Sequence, residues 1–292
     1  MLIGAVAFSI MGSLAHGLKD ELDWQVIALT RAAIPCVLVL AYSLIHRLRL
    51  VIIGTPLLWM RSLTGSASLL AVFYSLTRLP TSDVLTLTNL FPIWVALLSW
   101  PLLGERPGKV AWIALVCAII GVVLIQQPHF KEGNYAVFVA LSASLTTALA
   151  MIGLNRLKGV EAREIVFHFS SVAVVVCFTT WWLWGKTQIT PKDLKWDLLM
   201  LAGVGMAAMT GQFCLTHAFK LGPATQVSVV GLSQVGFAML IDMFVWGRQF
   251  NTMTLLGIAL VLGPTGWILW LGGKEKPAEL TVAIPVTGID PD

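Results

Sequence analysis

Few residues in this chain are equipped for chemistry, and nearly all of them sit inside apolar runs. Asp242 is the carboxylate placed well inside such a run. It could bind a cationic group or carry a coupling proton, or reach water or Arg248 near the end of its run. Arg31 lies inside another run and could hold a carboxylate, or snorkel to the interface. Ser82, Thr86 and Asn89 recur at helical spacing on one face, and Pro92 can open the backbone beside them. That face either lines a pocket or bonds a neighbouring helix. Gln212 and Thr216 share another face, and Gln226 and Gln234 a third. Gln212 and Gln234 are the pocket candidates of these, with interhelical hydrogen bonding as the alternative. Trp94 is deep enough to stack on a solute, whereas most of the twelve tryptophans fall near run ends, as in an aromatic belt.

These residues need helices in lipid to position them. The chain is 57% hydrophobic and 12% charged, which is too little charge to cover a soluble protein of 292 residues. Mean hydropathy is +0.84. A net charge of +4 without a basic patch gives no reason to expect nucleic acid. The four cysteines Cys36, Cys117, Cys177 and Cys214 are scattered through apolar runs without metal-ligand spacing, so no metal or other cofactor is expected.

Apolar runs between breaks predict about ten spans: 2–18, 25–45, 61–78, 82–103, 109–127, 133–155, 164–185, 196–219, 223–246 and 252–272. Each is near the roughly 20 residues that cross a bilayer. Pro80-Thr81-Ser82-Asp83 is a capping sequence for the fourth span, and Gly222-Pro223 suits the first turn of the ninth. Gly203, Ala207 and Gly211 recur every fourth residue, which permits close helix approach. Lys and Arg, with Arg61 counted among the loop charges, favour both termini in the cytoplasm, although the lysines of 186–197 argue the other way.

The chain also repeats itself. Tyr74-Ser-Leu-Thr-Arg78-Leu79-Pro80, an apolar run and Gly104-Glu105 are echoed by Thr216-His217-Ala-Phe-Lys220-Leu221-Gly222-Pro223, an apolar run and Gly247-Arg248. Five spans per half is odd, so the halves must enter the membrane in opposite senses. The fold expected is an all-α integral membrane protein of about ten transmembrane helices in two inverted five-helix repeats. The repeats cover 1–130 and 131–273, followed by a polar tail over 274–292.

Four features carry a family resemblance. They are Phe8-Ser-Ile-Met-Gly12-Ser13, Ala28-Leu-Thr-Arg31, Leu79 through Pro92 with Leu103-Gly104-Glu105, and the second-half echo at Ala218 to Ala224 with Leu256-Gly257. In that ordered set the chain resembles the EamA-type branch of the drug/metabolite transporter superfamily. The resemblance implies an exporter or importer of small metabolites. Its pocket would be lined by the third, fourth, eighth and ninth spans, with help from the first and sixth. The second half departs from the family pattern, with Arg248 where Gly-Glu is usual.

The expected activity is secondary transport by alternating access, driven by a proton or by the solute's own gradient. No P-loop is present for direct ATP use. A pocket with few fixed charges suits a neutral, zwitterionic or amphipathic solute, and an amino-acid-like one by resemblance. The rivals are a membrane-embedded enzyme, for which no H-E-x-x-H or G-x-S-x-G motif is found, and a channel or receptor. The partners expected are a small solute, the bilayer and protons, in a monomer or a homodimer.

Overall fold

A computed structural model describes residues 1–18, 21–48, 50–51, 53–76, 78–79, 81–127, 135–184, 194–245, 247 and 251–272. Pro80, Trp246, Arg248 and the tail expected over 274–292 lie outside them, as do the side chain of Ser82 and most of loop 186–197.

Among the described residues helix is the one regular secondary structure, joined by short turns. The elements are α1 (Leu2–Gly17), α2 (Trp24–Ile45), α3 (Pro56–Leu76), α4 (Thr81–Thr88), α5 (Phe91–Leu103), α6 (Lys109–Gln126), α7 (Ala136–Arg156), α8 (Ala162–Trp184), α9 (Leu194–Leu221), α10 (Ala224–Val245) and α11 (Thr252–Gly272). Six segments are long and apolar enough to cross a membrane, and α1, α6 and α11 are shorter apolar helices. Many large apolar side chains face outward, among them Ile3, Phe138, Trp182 and Phe244. A soluble protein would not tolerate so much exposed apolar surface, and lipid does.

Two expectations are corrected. The fourth span is long and apolar enough to cross over Asp83–Leu103, but it is not one continuous helix. It breaks at Asn89–Leu90, and α5 begins with Pro92 in its first turn. Proline lacks an N–H and suits a helix start, so the run restarts there instead of bending through. The third span begins at Pro56, not 61, which moves Arg61 from a loop into the second turn of α3.

Packing is reciprocal between the two halves. α1 lies on α9 as α7 lies on α3. α1 lies on α10 as α7 lies on α4 and α5. α2 meets α9 as α8 meets α3, while α2 pairs with α8 and α6 with α11. Small residues set the closest approaches. A Cβ on Gly211 would stand 2.6 Å from the Phe8 ring, so the small-residue stripe of α9 is where α1 seats. A Cβ on Gly121 would meet the Gly257 carbonyl at 2.7 Å, and one on Gly257 the Gly121 carbonyl at 2.7 Å.

Gly104 and Gly247 hold matching places, just past α5 and α10, with φ of 73° and 61°. A glycine enters that left-handed region without steric cost.

Candidate functional site

A cavity of about 230 Å³ lies between α2, α3, α7, α8 and α9. Arg31 of α2 and Arg61 of α3 both line it, with Ser68, Thr147, Phe169 and Gln212. Arg61 is among the largest fully buried side chains, at 2% exposure. An arginine at the centre of a membrane helix costs about 2.5–3.5 kcal/mol on insertion scales, so two in one cavity need a reason.

Local sequence explains how each is presented. Arg61, Gly65, Ser68 and Val72 recur at helical spacing and put one face of α3 on the cavity. Gly65 makes room: a Cβ there would stand 2.5 Å from Arg61 Nη1 and 2.9 Å from Phe169 Cε2. The Arg61 guanidinium carbon lies 4.3 Å from the Phe169 ring centroid. On α2, Pro35 sits four residues after Arg31 inside the helix. It has no N–H for the Arg31 carbonyl, which loosens α2 beside the cavity.

Polar neighbours complete the wall. Ser68 Oγ donates to the Ala143 carbonyl at 3.0 Å and lies 2.5 Å from Thr147 Oγ1. Ser62 Oγ and His168 Nδ1 share a hydrogen bond of 2.8 Å, and the Trp59 ring meets the imidazole edge-on. His168 Nε2 and Arg61 Nε are buried without a hydrogen-bond partner. Among the described residues an ion pair joins Arg163 to Glu161, away from the cavity, and neither cavity arginine faces a carboxylate in its lining. The cavity therefore carries two fixed positive charges, those of Arg31 and of Arg61. Arg61 escaped the sequence reading because it stands at the edge of an apolar run and counted as a loop charge. Its spacing to Gly65 and Ser68 was the available signal.

The remaining candidates occupy other places. Arg31 and Gln212 share the cavity, and Thr86, Asn89, Trp94, Gln234 and Asp242 are not among its lining residues. Thr86 is buried on α4. Asn89 sits in the break after α4, where its Nδ2 donates to the Leu85 carbonyl at 2.7 Å. Trp94 Nε1 donates to Ser144 Oγ on α7 at 2.9 Å. Gln234 is half-buried on α10, and its backbone carbonyl accepts from Ser9 Oγ of α1 at 2.8 Å. Asp242 is half-buried near the end of α10. Asp197 is a further buried carboxylate, in the first turn of α9, where the helix dipole favours negative charge.

One end of the bundle is tied by polar contacts. Asn155 Nδ2 at the end of α7 donates to the carbonyls of Phe219 and Gly222, at 2.6 and 3.1 Å. Glu105 Oε2 accepts the Ala224 N–H at 3.2 Å, which caps α10 from the loop after α5. Arg156 Nη2 donates to the Leu102 carbonyl, and Lys220 Nζ to the Val160 carbonyl. A groove of about 550 Å³ opens beside these contacts and is lined by exposed Gly104, Arg156 and Lys158.

A multi-pass helical bundle with a charged cavity between its helices has the architecture of a membrane transport protein. The comparisons agree. The EamA-like transporter family matches residues 1–127 and 134–270, and the chain belongs to that family. It is 29% identical over 268 residues to the pseudopaline exporter CntI of Pseudomonas aeruginosa, covering 89% of this chain and 91% of that one. An uncharacterized transporter of Helicobacter pylori is 25% identical over 72% of each chain. Human solute carrier family 35 member G1 is 22% identical over 70% of this chain and 59% of its own. A crystal structure superposes with a TM-score of 0.80 at 16% identity, covering 92% of this chain and 98% of the other, which is a likeness of fold.

Proposed function

We propose that the protein is a secondary carrier that moves a small metabolite across the cytoplasmic membrane by alternating access, in the direction of export. The observation that carries this reading is the cavity holding Arg31, Arg61 and Gln212 between helices of both halves. A channel needs a continuous path, whereas a carrier needs a closed compartment that can face either side in turn. The family match supports transport, and likeness to an exporter supports the direction.

The reciprocal packing of α1 on α9 and α7 on α3 supports two repeats, 1–130 and 131–273, related by an axis in the membrane plane. The hydrogen bonds of Asn155 and Glu105 would hold one end shut while the other opens. Both termini would lie on the cytoplasmic side. In this scheme Thr86, Trp94 and Gln234 belong to the helices that move around the solute, and Asn89 to the break between α4 and α5. Asp242 is the proposed coupling site for a proton.

Counterflow in proteoliposomes tests the proposal. Vesicles loaded with unlabelled metabolite pools are expected to take up labelled members with saturation. Conductance without saturation, or chemical turnover without flux, would replace the carrier with a channel or an enzyme.

A further inference from the structure

Two guanidiniums line one small cavity. Like charges side by side in a lipid-embedded bundle repel, and each loses its hydration. Proteins normally settle such a cost with a carboxylate or with carbonyls around the fork. Here the lining supplies no carboxylate. Among the described residues, Arg61 Nε is buried without a hydrogen-bond partner, and Arg31 lines the same cavity. Arg61 rests on the Phe169 face, and its Nε donor is left without an acceptor.

We propose that Arg31 and Arg61 together bind an oxyanion group, a carboxylate or a phosphate, on the transported solute. The proposal rests on the carrier reading above and names the class of solute. A guanidinium matches both groups through paired N–H donors. The anion supplies the missing acceptor and cancels the repulsion between the arginines. Gln212, Ser68 and Thr147 offer neutral hydrogen bonds to the rest of the solute. The volume, about 230 Å³, is that of about eight waters and admits a small metabolite. A solute bearing only positive charge would be repelled.

Thermal unfolding of the purified full-length protein in detergent provides the test, with succinate, citrate, inorganic phosphate and the neutral succinamide at equal ionic strength. The midpoint is expected to rise saturably with an anion and not with succinamide, and the anion that acts separates carboxylate from phosphate. Arg61→Gln and Arg31→Gln should each weaken the apparent affinity roughly thirtyfold or more. The wild-type comparison stands even if a variant does not fold. No shift with any anion, an equal shift with succinamide, or an undiminished response in both variants would overturn the proposal. Proteoliposome counterflow separates it from the carrier reading. Anion-dependent stabilisation without exchange of any solute keeps the anion site and removes the carrier. Saturable exchange of a neutral solute, unchanged in both variants, keeps the carrier and removes the anion site.

Discussion

The central carbon of the Arg61 guanidinium sits over the Phe169 ring, 4.3 Å from its centroid. The ring face stabilises the charge and orients the fork in the cavity without neutralising it. A desolvated contact of this kind contributes about 1–2 kcal/mol. Phe169→Leu is therefore expected to weaken solute binding by roughly five- to thirtyfold, while Phe169→Tyr stays near wild type. Concentration dependence of counterflow reads both.

Gly65 gives Arg61 its room. A methyl group there would press on Arg61 Nη1 and the Phe169 ring together. Gly65→Ala should impose an overpacking cost of about 1–3 kcal/mol, released by pushing the guanidinium out of place. The expected result is a fall in solute affinity larger than the fall in thermal stability. Equal losses in both would make Gly65 a packing residue alone.

The ties of Asn155 and Glu105 act at the end of the bundle. Asn155→Ala strands the Phe219 carbonyl and should cost about 1–3 kcal/mol in thermal unfolding. Glu105→Ala removes the cap on α10 and should cost about 0.5–2 kcal/mol. Glu105→Gln retains an acceptor and should recover most of that loss, which separates capping from charge.

Trp94 and Ser144 join α5 to α7 through one hydrogen bond. Each single substitution, Trp94→Phe and Ser144→Ala, is expected to cost about 1 kcal/mol beyond its packing change. A double-mutant cycle should return that energy as coupling. Zero coupling would assign Trp94 a role other than bridging the two helices.

Much of this architecture is legible in the sequence because lipid simplifies the rules. A bilayer admits only helices with satisfied backbones here, so long apolar runs mark α7, α8, α9 and α10 with little ambiguity, whereas Arg31 weakens the signal for α2. The stripe of Gly203, Ala207 and Gly211 marks a close approach, and Phe8 is found seated against it. Arg31 and Gln212 were visible as polar residues deep inside apolar runs. Arg61 was hidden, because hydropathy treats an arginine beside Met60 as the end of a run. Its burial depends on α8 supplying Phe169, and no local pattern reports that long-range contact. The break at Asn89 was hidden for a related reason. A proline inside an apolar run can bend a helix or restart it, and neighbouring packing decides between them.

The most direct test asks whether the cavity is reached from both sides of the membrane. Ser68 lines it, so Ser68→Cys in a chain cleared of Cys36, Cys117, Cys177 and Cys214 reports its exposure. A membrane-impermeant thiol reagent applied to oriented vesicles is expected to label this cysteine from either face, and transported solute should slow the labelling. Labelling from one face only, or from neither, would contradict alternating access to this cavity.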